Sequence, residues 1–195
     1  MYLETSGDAI FTVLIENFVA SSTLAKVGIM FRSSLSQNSS HYSIFHSNEN
    51  GNQPVQQHRP CMGCNTTDFN TTELGIQQSF SSIWLKVTKV GNVFSAFYKP
   101  SYLAKAAPWY RFGHQLLLNA SSSDGYFVGV ATVSGSTSVA TSNVSNIQLT
   151  RTCSTKFITQ LQCDQASNVR NLVIFSHSIF ADIPLMFLVK PYSSV

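Results

Sequence analysis

The chain has 195 residues, enough for one domain or for one domain with an appended segment. Apolar residues make up 44% and charged residues 11%, against about 25% charged residues in an average soluble domain. The chain can therefore build a core, and it lacks both the charge-rich composition of disordered proteins and the heptads of coiled coils. The net charge of +3 comes without a basic cluster, which argues against a nucleic-acid partner. This weakly charged, hydroxyl-rich composition indicates the outside of a cell.

The first predicted strand is Lys26–Arg32, where Val27, Ile29 and Phe31 alternate with other residue types. Successive side chains of a strand point to opposite faces, so these three side chains are predicted to face a core. Residues 47–81, further along the chain, are polar, and we interpret them as a glycosylated, disulfide-stapled surface loop.

A β-hairpin is predicted next, with strands on either side of Gly91-Asn92. Two more extended segments follow, and no stretch has the pattern of a capped amphipathic helix. The predicted fold class is all-β: a two-layer antiparallel jelly-roll sandwich over residues 1–150, with an extended C-terminal extension over 151–195. The side chains predicted to be buried are Val27, Ile29, Phe31, Leu85, Val87, Val128 and Val130.

The four cysteines allow three disulfide pairings, of which the local one, Cys61–Cys64 with Cys153–Cys163, is the simplest. His58 precedes the first pair with the spacing of a zinc knuckle, but a structural zinc site usually needs four ligands and the sequence has no second knuckle. Disulfides are therefore favoured over a metal, as in secreted proteins.

Five Asn-X-Ser/Thr sequons lie in polar stretches or at expected strand edges, which predicts N-linked glycans; chance matches in a Ser/Thr-rich chain are the alternative. The asparagines are Asn38, Asn65, Asn70, Asn119 and Asn143. No secretory signal is visible, which suggests a mature or partial chain, and no apolar run is long enough to span a bilayer.

Five segments carry a family resemblance: Ser6–Ala9, Lys26–Arg32, Trp84–Tyr98, Val128–Ser134 and Ala140–Ile147. In this order they resemble the concanavalin A-like, laminin-G-type jelly-roll repeats of large secreted and cell-surface proteins. The resemblance implies the sandwich fold and little about activity. The chain departs from the family at both ends, because its beginning is short and its C-terminal extension is long.

The usual catalytic arrangements are missing from the sequence. No pair of acidic residues has the spacing along one strand that a glucanase of this fold would use, and no Gly-X-Ser-X-Gly elbow is present. Calcium, common in laminin-G-type sandwiches, needs clustered oxygens, whereas Asp124 is more simply a turn residue. His41 and His46 are interpreted as surface residues. We predict that the chain is not an enzyme and uses no metal or cofactor.

Carbohydrate binding is one function that the fold allows, because aromatic rings can stack on sugar faces. The candidate stacking residues are Trp84, Tyr98, Trp109 and Tyr126. The alternative is that these aromatic side chains fill the core.

The predicted sandwich and its C-terminal extension are compatible with two functions. The first is a non-catalytic, glycosylated structural module that assembles with copies of itself into a filament or surface layer. A sandwich that lacks its first strand leaves an edge for an added strand, from the same chain or from a neighbour. The predicted donor strand contains Leu185, Phe187 and Val189. The second function is an adhesive, lectin-like carbohydrate-binding domain of a larger cell-surface protein.

Overall fold

Thirteen β-strands form in the computed structural model, which describes residues 2–49, 51–70, 78–117, 125–152, 167–176 and 185–186. In chain order they are β1 (Tyr2–Thr5), β2 (Asp8–Val19), β3 (Lys26–Arg32), β4 (His41–Ser47), β5 (Gln53–Arg59), β6 (Thr67–Asn70), β7 (Ser82–Val90), β8 (Val93–Pro100), β9 (Tyr110–Leu117), β10 (Tyr126–Val133), β11 (Ala140–Thr152), β12 (Ser167–Ser176) and β13 (Leu185–Met186). No α-helix capable of spanning a lipid bilayer occurs in the part of the chain that the structure describes.

The strands form two antiparallel sheets that pack face to face. One sheet has the order β1-β10-β3-β4-β5-β6, with β13 also pairing with β10, and the other has the order β12-β11-β2-β7-β8-β9. Together they make a two-layer, all-β jelly-roll sandwich, which confirms the fold class predicted from the alternation of the sequence.

The core lies between the sheets and is built from the inward-facing side chains of both. All seven side chains predicted to be buried are at most 1% exposed. Phe31 lies near its centre, with its ring centroid 5.5 Å from those of both Phe94 and Tyr126. Burial of one such side chain contributes about 1.5–3 kcal/mol to folding, so the alternation of the sequence accounts for the sandwich.

The polar residues 47–81 contain two strands and are not a surface loop throughout, so that interpretation is wrong. β5 pairs along its whole length with β4, and β6 pairs with β5. Gln56 is completely buried and its Oε1 accepts a hydrogen bond from the backbone N–H of His114 at 2.8 Å. The Gln56 side-chain carbonyl oxygen thus has a partner on the facing sheet, which lowers the cost of a polar side chain in this inner strand, whereas its Nε2 has no hydrogen-bond partner among the described residues.

The segment Ser6–Ala9 of the family resemblance joins the two sheets at one end of the sandwich. Asp8 Oδ1 accepts a hydrogen bond from the Gly91 N–H at 2.7 Å, at the turn between β7 and β8. The Gly7 carbonyl accepts bonds from Lys89 Nζ at 3.1 Å and from the Tyr126 hydroxyl at 2.9 Å. Gly7 has a φ of 74°, a left-handed conformation that favours glycine. The motif therefore has a structural role.

Two C-terminal segments extend the sheets within the same chain. β12 pairs with β11, and β13 pairs with β10 in the register Ala131↔Met186 and Thr132↔Leu185. β11 runs to Thr152, and the division of the chain at residue 150 stays a prediction. Phe187 and Val189, the other two residues of the predicted donor strand, lie outside the described residues.

We expect Asp8→Ala to lower the free energy of unfolding by about 1.5–3 kcal/mol, because it removes a hydrogen bond to a charged acceptor at the turn between β7 and β8. The matched control is Glu4→Ala, which removes an exposed acid from neighbouring β1. Chemical denaturation of both variants measures the difference, and equal stabilities would show that the Asp8 contact does not stabilise the turn between β7 and β8.

Candidate functional site: a groove on the seven-stranded sheet

The outer face of the seven-stranded sheet, which points away from the core, has an apolar floor. Met30, Phe45 and Ala131 lie on three neighbouring strands of this face and are at most 1% exposed. Gly28 allows β3 and β4 to approach closely here, because a Cβ at this position would collide with the Ile44 carbonyl oxygen and lie 2.6 Å from Phe45 Cα. This buried floor shows that the face is recessed.

A row of basic and imidazole side chains crosses the sheet beside this floor. Arg32 of β3 is paired in register with His41 of β4, which is paired with Arg59 of β5. The neighbouring residues Phe31 and Tyr42 point into the core, so strand alternation places all three row members on the outer face. Arg32 and His41 are each 7% exposed.

A second row of paired residues crosses the sheet next to the first and ends in the polar side chains of Gln57 and Asp68. Met30, Ser43, Gln57 and Asp68 follow one another across β3, β4, β5 and β6. Gln57 Nε2 donates to Asp68 Oδ1 at 2.9 Å, and the Ser43 hydroxyl donates to the Gln57 carbonyl at 3.0 Å. This row supplies acceptors next to the donors of the first row.

Two loops, residues 33–40 and 60–66, form a wall of the recess. Arg32 forms a hydrogen bond to the first loop, and Arg59 forms hydrogen bonds to both. Arg32 Nη2 donates to the Ser36 carbonyl. Arg59 Nη1 donates to the Gln37 carbonyl at 2.7 Å, and its Nη2 donates to Thr66 Oγ1 at 3.1 Å. The first loop, residues 33–40, also accepts a bond from the Gly63 N–H at the Asn38 carbonyl, at 2.8 Å. The resulting groove has a volume of about 410 Å³.

The disulfide Cys61–Cys64 lies in the second loop and confirms that predicted pair. Because both sulfurs are bonded to each other, the alternative of a zinc knuckle with His58 is not available to this pair. Within the described ranges, no three His, Cys, Asp or Glu side chains come together in a way that could hold a metal ion. Cys153 and Cys163 lie outside the described residues.

The electrostatics of the first row keep His41 neutral. Burial, and then the charges of Arg59 and Arg32, lower the pKa of His41 to about 4. Burial and the charge of Arg59 also lower the pKa of Arg32. Among the described residues neither guanidinium has a carboxylate partner, and the Nε of each is buried without a hydrogen bond. The row therefore holds two positive charges without an ion-pair partner among the described residues, and the acidic groups elsewhere in the groove lining are Glu49 and Asp68.

The interpretation of His41 and His46 as surface residues is wrong. His41 lies in the groove, and His46 is completely buried on the core side of the same strand, with Nε2 3.1 Å from the Asn52 carbonyl. Burial lowers the pKa of His46 to about 4. Both histidines are buried because β4 is an inner strand of the sheet, covered by the second sheet on one side and by the groove loops on the other.

The four candidate stacking residues lie in two places, neither of them the groove. Tyr98 and Tyr126 are 7% and 3% exposed and belong to the core. Trp84 and Trp109 are half-buried on the outer face of the six-stranded sheet, where Lys99 Nζ lies 6.0 Å and 5.1 Å from their ring centroids. The stacking role of these residues stays a prediction.

Three of the predicted glycosylation sites have exposed side chains: Asn38, Asn65 and Asn143. Asn38 also lines the groove. Asn70 ends β6, and Asn119 lies outside the described residues. Attachment of glycans stays a prediction.

The chain is similar in fold to several solved structures, although no family model matches it and no curated protein resembles it in sequence. A functionally unknown protein from Saccharomyces cerevisiae has 16% sequence identity and a TM-score of 0.59, over 79% of this chain and 75% of that chain. At this identity the likeness shows the fold alone. Sheep galectin-11, in a complex with glycerol, has 9% identity and a TM-score of 0.38, over 68% of this chain and 96% of that chain.

A third similar structure corrects the prediction that the chain is not an enzyme. It is scytalido-glutamic peptidase with a transition state analog inhibitor, at 13% identity and a TM-score of 0.47, over 91% of this chain and 96% of that chain. That protein is a β-sandwich and an enzyme, so the sandwich class does not exclude catalysis. The likeness assigns no activity and no catalytic residue to this chain.

We expect the free energy of unfolding to fall as the pH drops from 6.5 to 4. His41 and His46 are held neutral in the folded protein, whereas the unfolded chain binds protons near the ordinary pKa of 6.5. Their contribution is fully present above pH 6.5 and is lost toward pH 4, by about 3 kcal/mol for each histidine.

Urea denaturation at several pH values between 4 and 7.5 measures this slope. His41→Gln should reduce the slope, because it removes one of the two groups. A stability that does not change over this range, or an unchanged slope in the variant, would contradict the burial of His41 as a neutral side chain.

Proposed function

We propose that the protein is an extracellular, lectin-like carbohydrate-binding module whose ligand lies in the groove of the seven-stranded sheet. The observation that carries this proposal is the mixed lining of the groove. The apolar side chains of Leu24, Met30 and Val133 line the groove, and Met30 packs on buried Phe45 and Ala131. Beside them lie the polar side chains of Arg32, His41, Arg59, Gln57 and Asp68. Sugar rings present C–H groups on their faces and hydroxyl groups at their edges, and therefore match such a lining.

The pairing of Gln57 with Asp68 supports a ligand rich in hydroxyl groups. An ionised carboxylate accepts hydrogen bonds, and an amide both donates and accepts, so together they can bind two adjacent hydroxyls. The groove volume of about 410 Å³ is within the ~300–1,000 Å³ typical of small-molecule sites. The Cys61–Cys64 disulfide in the groove wall is typical of proteins from oxidising compartments and supports the extracellular location.

We expect Gln57→Ala to weaken glycan binding about tenfold, because it removes an amide of the groove and leaves Asp68 without its partner. Gln115→Ala is the matched control. Like Gln57, Gln115 is a solvent-accessible glutamine whose Nε2 donates a hydrogen bond to one side chain, that of Ser95, but it lies on the opposite sheet. A glycan array covering neutral and acidic sugars identifies the ligand, and titration calorimetry measures the affinities. No binding to any glycan, or equal losses in both variants, would overturn the proposal.

A second proposal is self-assembly by strand exchange, in which the pairing of β13 with β10 within one chain is replaced by the same pairing between two copies. The edge of β10 carries β1 over residues 126–129 and β13 over residues 131–132, so two short terminal strands share one edge. The same edge of one copy could accept the C-terminal strand of another copy, which would generate a filament if the contact is head to tail.

We expect Leu185→Pro to abolish such assembly, because proline cannot donate a hydrogen bond to the ladder with β10. Light scattering after size-exclusion chromatography and electron microscopy of wild type and variant test this. A wild-type chain that stays monomeric at high concentration would remove the self-assembly proposal and would leave the glycan-binding proposal unaffected.

A further inference from the structure

We infer that Arg32 and Arg59, with His41 between them, bind the anionic group of an acidic sugar, either a carboxylate or a sulfate. This inference rests on the proposed function and names the class of its ligand. Nothing in the sequence resemblance or in the similar structures assigns these residues.

The two positive charges of the row have no ion-pair partner in the part of the chain that the structure describes. Two guanidinium groups lie on the same sheet face, separated by one strand, and each is without a carboxylate partner among the described residues. Buried charges are costly unless they are paired, and two like charges near each other add repulsion. An anion bound between them would remove both costs.

Each arginine is bonded on the loop side and has a donor left over. Arg32 donates from Nη2 to Ser36, and Arg59 donates from Nη1 and Nη2 to the loops. Arg32 Nη1 makes no hydrogen bond to any described residue, and Arg59 Nη2 carries two hydrogens of which Thr66 accepts one. The Nε of both arginines is buried and is not available to a ligand. Hydrogen bonds from guanidinium to carboxylate or sulfate are charge-assisted and are stronger than bonds between neutral groups.

Support of the loop alone does not explain the two arginines. The β3–β4 loop is also held by its own serines: the Ser33 and Ser39 hydroxyls lie 3.0 Å apart, the Ser40 hydroxyl donates to Ser33 Oγ at 2.8 Å, and Ser39 Oγ accepts from the Ser34 N–H at 3.0 Å. This network closes the loop on itself, whereas the arginines attach it to the sheet. Attachment requires hydrogen-bond donors but not two like charges, and an anionic ligand accounts for the charge.

The acceptors of the second row indicate what else the ligand carries. Asp68 and Glu49 line the groove as well, and their charges disfavour a second anionic group near them. A ligand with one anionic group at the arginine row and hydroxyl groups toward Gln57 and Asp68 matches both rows. A neutral sugar would leave the guanidinium charges uncompensated, and a free phosphate or sulfate ion would leave the second row unused.

The experiment compares acidic sugars with their neutral counterparts on the full chain. The probe pairs are trigalacturonate and its methyl ester, sialyllactose and lactose, and 6-sulfogalactose and galactose, each titrated calorimetrically. We expect at least one acidic member to bind ten- to a hundredfold more tightly than its neutral counterpart, and this preference to weaken as the salt concentration rises. The carboxylate and sulfate pairs distinguish the two sources of the anionic group.

The variants are Arg59→Gln, which should remove the acidic preference, and Arg111→Gln, a matched loss of charge from an exposed arginine on the opposite sheet. Thermal unfolding checks that both fold. If Arg59→Gln is unfolded, Arg32→Gln and Arg59→Lys replace it, the latter keeping the charge and losing the geometry.

Equal affinity for acidic and neutral members of every pair would overturn the inference and leave the proposed function intact. A preference that survives loss of either groove arginine and disappears in Arg111→Gln would also overturn it, by moving the anionic site to the other sheet. Failure of every sugar, acidic and neutral, in these titrations and on the array would overturn the proposed function itself.

Discussion

Two arginine side chains hold the loops that turn one open face of the sandwich into a groove. Arg32 and Arg59 extend across the outer face of the seven-stranded sheet and donate to carbonyl groups of the 33–40 loop. The loop is thereby fixed over the sheet, and the apolar floor and His41 are buried. The depth of the groove, the neutral state of His41 and the uncompensated charge all depend on these contacts.

The sandwich tolerates this polar face because the other face of the same strands supplies the stability. β3 and β4 bury Ile29, Phe31 and Ile44 against the second sheet, whereas their alternate residues form the groove. The Gly7 carbonyl joins the sheets at one end of the sandwich, because it accepts hydrogen bonds from Lys89 of β7 and from Tyr126 of β10. Core and groove therefore share strands but use separate sets of residues, so a groove residue can be substituted with little effect on the core.

The sequence predicts the sandwich well and the groove poorly, for a physical reason. Alternation in Lys26–Arg32 and in the Gly91-Asn92 hairpin is a local property, and the structure confirms both. The groove depends on strand register, which brings Arg32, His41 and Arg59 together from positions far apart in the chain, and no local pattern contains that register. Arg59 and Gln57 also lie in a polar segment whose composition favours a loop. Alternation around Phe31 and Tyr42 was the available signal that Arg32 and His41 share one face.

A ligand bound on the seven-stranded sheet can be located by titrating ¹⁵N-labelled protein with the tightest-binding sugar and following the backbone amides by two-dimensional NMR. We expect the largest chemical-shift changes at Arg32, His41 and Gln57 and at the 33–40 loop, with the amides near Trp84 and Trp109 unchanged. Large changes around Trp84 and Trp109, with none in the groove, would contradict this expectation.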